Sequence, residues 1–263
     1  MSISFRERAI ILVKAFPQPS QRYEETVCCA GITPEGAFVR LYPIRYRHLR
    51  KEQQFDRWDV IEYQATRPHD DWRPESRHVD EESIRIVQQR GQFNDEQRVR
   101  VWMPHISQSL VVLREENVAT HKSLGIIRPD DGTVRFHYRR LDLTSADDRD
   151  LQAAFKQVSL LDESFLTQMP VEFEFSYRFE CVDNHHEMKI HDWEVQAAYL
   201  SYRQRYGNDA LIMLCEEYEK HIPSRNLHLV MGTMKAHPRQ FIIIGLLRSG
   251  LTPADAARQP QLL

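Results

Sequence analysis

Residues 9–15, AIILVKA, form a short apolar run rich in strand-forming residues. Such a run predicts a buried strand. FPQPS follows, and Pro17 and Pro19 block both a helix and a ladder there, so the chain must turn. Residues 26–32 read as a second strand, and TPEG at 33–36 supplies the turn after it. Residues 37–42 alternate. Phe38, Arg40 and Tyr42 fall on one face, Val39 and Leu41 on the other, and Pro43 ends the strand. Residues 58–66 predict a fourth strand. Four strands in about sixty residues, with no helix between them, predict a small barrel or a strongly curled sheet.

Beyond this the pattern mixes. Residues 67–80 read as a polar loop with two prolines, and residues 106–119 have helical spacing. A turn at 130–134 leads into a strand, VRFHYRRL. Residues 144–157 predict a helix led by Thr144 or Ser145, with acids in its first turn. Residues 171–182 alternate strongly and predict a strand. Asp192 is placed to N-cap a helix through Tyr206, which Gly207 stops, and a second helix is expected from Asp209 to His221. Residues 226–233 and 240–247 predict a β-hairpin with a longer loop. The expected class is α+β: a small OB-like β-barrel followed by an α+β half with two helices and a hairpin. The expected domains are 1–128, including the helix after the barrel, and 129–263.

Composition narrows the chemistry. A net charge of −3 over 263 residues excludes a polyanion binder that works through overall field. The basic residues are nonetheless unusual, with 28 Arg against 7 Lys. A GC-rich genome accounts for such a ratio, but not for clustering. No apolar run reaches the ~18 residues that a membrane span needs. The N-terminal apolar stretch lacks the features of a secretory signal. Cys28 and Cys29 are adjacent and Cys181 and Cys215 stand alone, so no disulfide framework is indicated. These features predict a cytoplasmic protein.

The clustering is local. Residues 36–50, GAFVRLYPIRYRHLR, hold Arg40, Arg45, Arg47 and Arg50, interleaved with Tyr42 and Tyr46 and without an acid. Nucleic-acid-binding barrels combine such cations, for the phosphate backbone, with aromatic rings on which bases stack. Arg73, in the following loop, extends the set. The candidate nucleic-acid-binding residues are therefore Arg40, Tyr42, Arg45, Tyr46, Arg47 and Arg73. The competing structural account pairs these arginines with Glu52, Asp56, Asp59, Glu62, Asp70, Asp71 and Glu75.

The string KAFPQPSQRYEETVCCAGI, then AFVRLYPIRYRHL and WRPES, resembles the N-terminal part of an uncharacterised bacterial protein family. The shared positions are Lys14, Phe16, Pro17, Ser20, Glu25 to Cys28, Ala30 to Ile32, Arg40 to Pro43 and Arg73 to Ser76. The module is also similar to dual OB domains, which implies nucleic-acid binding. The resemblance covers residues 10–80 and weakens over 172–248. It implies no established activity.

A second informative stretch is FECVDNHHEMKIHDWE at 179–194. Cys181, His185, His186 and His191 have ligand types suited to zinc. The resembled family carries Cys-x-x-Cys-x-His ahead of Asp-Trp-Glu, but this chain has no second Cys between Cys181 and His186. A fourth ligand would then come from His185, His191 or a distant donor such as Cys215 or His237. The alternative is a polar loop with surface histidines and a buried Cys181. His186, Asp192 and Glu194 also suit a metal-dependent nuclease. The competing account is that Asp192 and Glu194 serve the helix start. No P-loop, GxGxxG or GxSxG motif is present. Cys28 and Cys29 lie in an apolar strand, where burial is the expectation. The favoured function is binding of single-stranded or structured DNA or RNA. The alternatives are the nuclease and a protein-interaction subunit.

Overall fold

A computed structural model describes residues 3–15, 18–20, 24–46, 49–142, 144–146, 148–149, 172–182 and 184–250, with only the backbone described at 18–20 and 24–27. The chain is mixed α+β. Strand β1 (Phe5–Lys14) is followed by β2 (Gln18–Ser20), β3 (Glu24–Ile32), β4 (Phe38–Ile44), β5 (Val60–Thr66) and β6 (Ser76–Gln88). Pairing runs β1–β5–β6–β4–β3, and β3 returns to β1, so five strands close a ring. The β4–β6 pair is parallel and the other four are antiparallel. β2 pairs with the start of β3 outside the ring.

β1 is apolar on both faces because both are covered. Ala9 and Ile11 join Val39, Leu41, Phe55, Ile61, Tyr63 and Ile84 inside the ring. Ile10 and Leu12 face outward and pack with Ala30, Ile32 and Phe38 against Leu124, Ile126, Val230, Ile242 and Ile244. These last residues come from a second sheet, ordered β12–β11–β7, formed by β7 (Leu124–Ile127), β11 (His228–Thr233) and β12 (Phe241–Leu247). The outer face of β1 and β4, and of the described side chains of β3, is therefore largely buried under the chain's own C-terminal half. Gly245 permits that approach, since a Cβ there would lie 2.4 Å from Val13 Cγ2.

The third sheet, β10–β9–β8, is built from β8 (Arg135–Arg140), β9 (Phe173–Cys181) and β10 (Asn184–Lys189). Its inner face supplies Phe136, Phe175 and Tyr177, which pack with Tyr199 and Tyr218. Tyr199 belongs to α3 (Trp193–Tyr206), and Tyr218 lies in the π-helical turn after α4 (Ala210–Glu216). The helix start at Asp192 is as expected: its carboxylate accepts from the Glu194 N–H at 2.9 Å. The stop at Gly207, with φ of 58°, and the β11–β12 hairpin also match. The helix expected over 106–119 forms as α2 (Leu110–Thr120). The helix expected over 144–157 lies largely outside the described residues.

Five elements were not foreseen. β2 forms where FPQPS was expected only to turn: Pro19 stands opposite Glu25 in the ladder with β3, and β2 is an edge strand, the place in a sheet where proline is tolerated. β6 replaces the end of the expected polar loop. Its alternation is broken where the pairing register shifts between Glu62 and Gln64, and Ser83 Oγ accepts the Gln64 N–H there. α1 (Asp95–Trp102) carries a capping box, Asn94 with Gln97, that was legible in the sequence. β7 is four buried residues, too short for a periodicity. β10 pairs with β9 in a hairpin where a metal-binding loop was expected. β7 also pairs with β11, so strand pairing crosses the division expected at residue 128.

Candidate nucleic-acid interface

The Arg/Tyr segment separates into buried and exposed members. Arg40 shares the outward face of β4 with Phe38, and that face is covered. The residue is only 5% exposed. Its guanidinium donates to Ser123 O at 3.1 Å and Ser123 Oγ at 3.3 Å, and lies 3.4 Å from Cys28 Sγ. Glu75 completes the group by accepting from Ser123 N and Oγ, each at 2.9 Å. Arg40 thus tethers the ring to the residue ahead of β7.

Arg73 is a second tether. It forms a two-pronged bond with Asp71, at 2.8 and 2.6 Å, and donates to Thr233 O at 2.8 Å. Burial pushes the Asp71 carboxyl up, but the hydrogen bond and charge of Arg73 outweigh it and hold it below its ordinary value. Arg40 and Arg73 face protein partners from the C-terminal half rather than solvent.

Tyr42 lies two positions beyond Arg40, past the edge of the cover, and is 37% exposed. It stands opposite His78 in the parallel β4–β6 pair. Arg45 pairs with Glu81 through both its backbone N–H and its guanidinium, the latter at 2.7 Å. Both residues line an open cleft of about 420 Å³ with Pro43, Gln64 and His78. Tyr46 is half-buried: its hydroxyl donates to Phe55 O at 2.5 Å, and Lys14 Nζ lies 5.0 Å from its ring centre. Arg47 lies outside the described residues.

The expected metal ligands do not come together. Cys181 is buried on the inner face of β9, its Sγ 3.5 Å from Arg128 O. His185 is exposed beside Glu180, at 3.2 Å, and His186, on the opposite face of β10, packs on Phe179. The half-buried His191 imidazole is lowered to about 4 by desolvation. Among the described residues, no three His, Cys, Asp or Glu side chains are placed to hold a metal ion. The residues do not fit a zinc centre, because successive positions of a hairpin strand point to opposite sides of the sheet.

The carboxylates of the nuclease reading have structural partners. Asp192 is 3% exposed and accepts from Glu194 N and from Leu246 N at 3.1 Å. Burial, then the nearby Glu194 charge, raises its pKa to about 7, against the opposing pull of Arg57. Arg57, from the segment before β5, pairs with Glu194 at 2.7 Å and donates to Leu246 O. This is a third polar tie between the halves.

A model described as Domain of unknown function (DUF8757) matches residues 105–261, more than half of the chain. The chain belongs to the DUF8757 family. A second model, Domain of unknown function (DUF8758), matches residues 5–104. In this DUF8757 family member the two matched regions meet just after α1, close to where the ring gives way to the C-terminal half. No curated protein matches the chain. Among the described residues, no helix is long and apolar enough to cross a membrane.

Proposed function

We propose that the ring of five strands is an OB-type barrel and that the protein binds single-stranded nucleic acid at the rim of this barrel. The strand order supports the first part. In chain order the ring strands are first to fifth, and the single parallel pair joins the third and the fifth, an arrangement that fits a five-stranded Greek-key barrel. Such barrels bind oligonucleotides on the second and third strands and the adjoining loops. Here the C-terminal sheet covers Ala30, Ile32 and Phe38 on those strands, which moves the contact towards Tyr42.

The observation that carries the reading is Tyr42, an exposed ring on the third strand of the barrel where the cover stops. Its neighbours Arg45 and Arg47 provide phosphate contacts, with Arg45 leaving Glu81 to do so. Arg40 and Arg73 hold the platform together from beneath.

The test is a fluorescence anisotropy titration of labelled single-stranded oligonucleotides at several salt concentrations. Tyr42→Ala is expected to weaken binding by roughly 1–3 kcal/mol with the salt slope unchanged, since stacking releases few ions. Arg47→Ala is expected to make the slope shallower by about 0.7, one released counterion. Absence of wild-type binding at low salt would overturn the proposal and favour a protein-interaction role.

A further inference from the structure

We infer that Trp72 and His121 form a second base-stacking site, built jointly by the barrel and the C-terminal half; this rests on the nucleic-acid reading above. Trp72 lies in the segment between β5 and β6, the loop that joins the fourth and fifth strands of the ring. Loops at this position in OB-type barrels contact oligonucleotides. The residue is 58% exposed, whereas Trp102 is buried and Trp58 and Trp193 are half-buried. Trp72 is thus the most accessible indole of the chain.

The exposure is a held arrangement. On one side Asp70 pairs with Lys235, and on the other Arg73 is locked between Asp71 and Thr233 O. Ser76 Oγ donates to the same Asp71 carboxylate at 2.8 Å. A ring fixed this way loses little freedom on stacking. His121 closes one side, with ring centres 4.2 Å apart and planes at 83°.

His121 is itself unusual. It is the left-handed C-cap of α2, with φ of 62°, a position that glycine fills at least cost. The adjoining backbone is fixed, because Asn117 Nδ2 donates to Lys122 O at 2.7 Å and to Pro238 O at 3.0 Å. An imidazole kept at a strained cap, edge-on to a pinned and exposed indole, leaves an open aromatic surface. The size and exposure of the indole fit a nucleobase in an extended strand, stacked without base-specific hydrogen bonds.

The full chain would be titrated with a fluorescein-labelled oligothymidylate of about 20 nucleotides at low salt. Anisotropy reads binding, and tryptophan emission with unlabelled oligonucleotide reads Trp72. The expected results are emission quenching that Trp72→Phe abolishes while retaining most affinity, and binding weakened roughly 5- to 150-fold in Trp72→Ala. His121→Gly should weaken binding while keeping or raising the melting temperature, since it removes the ring and relieves the cap. That separates a ligand contact from a folding role. Wild-type binding without quenching, and unchanged in Trp72→Ala, would overturn this site while leaving the Tyr42 interface standing. No binding at all would overturn both.

Discussion

Single residues of the chain do opposite things at the same chemistry. His228 is fully buried against Trp102, with its Nδ1 3.0 Å from Asn226 O and its Nε2 without a partner. Burial lowers its pKa from 6.5 to about 4. The unfolded chain therefore gains a proton below pH 6.5 that the folded chain refuses, and stability falls as pH drops from 6.5 towards 4. Asp192 acts the other way. Its pKa is raised from 3.8 to about 7, so the folded form holds a proton that the unfolded chain releases, and stability falls as pH rises across that window. His228→Phe keeps the ring contact with Trp102 and removes the titration. Unfolding free energies from urea titrations between pH 7 and 4 should then decline less steeply than in wild type, by up to ~1.4 kcal/mol per pH unit. An unchanged slope would assign the acid sensitivity elsewhere.

At the scale of elements, close approach of strands decides where side chains are allowed. Gly31 on β3 lies against β1, and a Cβ there would sit 2.6 Å from Ile10 O. That oxygen is backbone and cannot swing aside. Gly31→Ala is expected to destabilise by roughly 1–3 kcal/mol. Gly91 has nothing within 4 Å, so Gly91→Ala is the control, expected to be neutral or slightly stabilising. Chemical denaturation of both variants checks the contrast. A harmless Gly31→Ala would mean that β1 and β3 are not packed as closely as this.

For the whole molecule the junction is the main feature, because polar ties surround an apolar interface between the ring and the C-terminal sheet. Arg40, Arg57 and Arg73 each reach from the N-terminal residues to Ser123, Leu246 or Thr233. Removing Arg40 strips charge-assisted bonds from the buried Ser123. Arg40→Ala should cost about 1.5–3 kcal/mol in thermal or urea unfolding. Arg178, whose side chain is 57% exposed beside Glu187, is the comparison: Arg178→Ala should cost under about 1 kcal/mol. Equal effects would mean that the junction contributes no more than a surface pair.

Much of the fold was legible locally. The unbroken apolar run of β1, the alternation of β4 and β9, the cap at Asp192 and the stop at Gly207 are each consequences of neighbouring residues, which any reading of the chain contains. β6 was not legible, because a shift of register interrupts its period. The candidate site was legible in composition but not in role. Arg40 and Tyr42 sit two residues apart on one face of one strand, and nothing local distinguishes them. Their difference comes from Ser123, 83 positions away from Arg40, and from the edge of a sheet that covers one and stops before the other. In the same way Trp72 read as part of a polar loop until α2 brought His121 beside it. Local propensity and period belong to the sequence itself. Which cation is buried and which ring stays open depends on contacts between distant segments, and those exist only once the chain has closed.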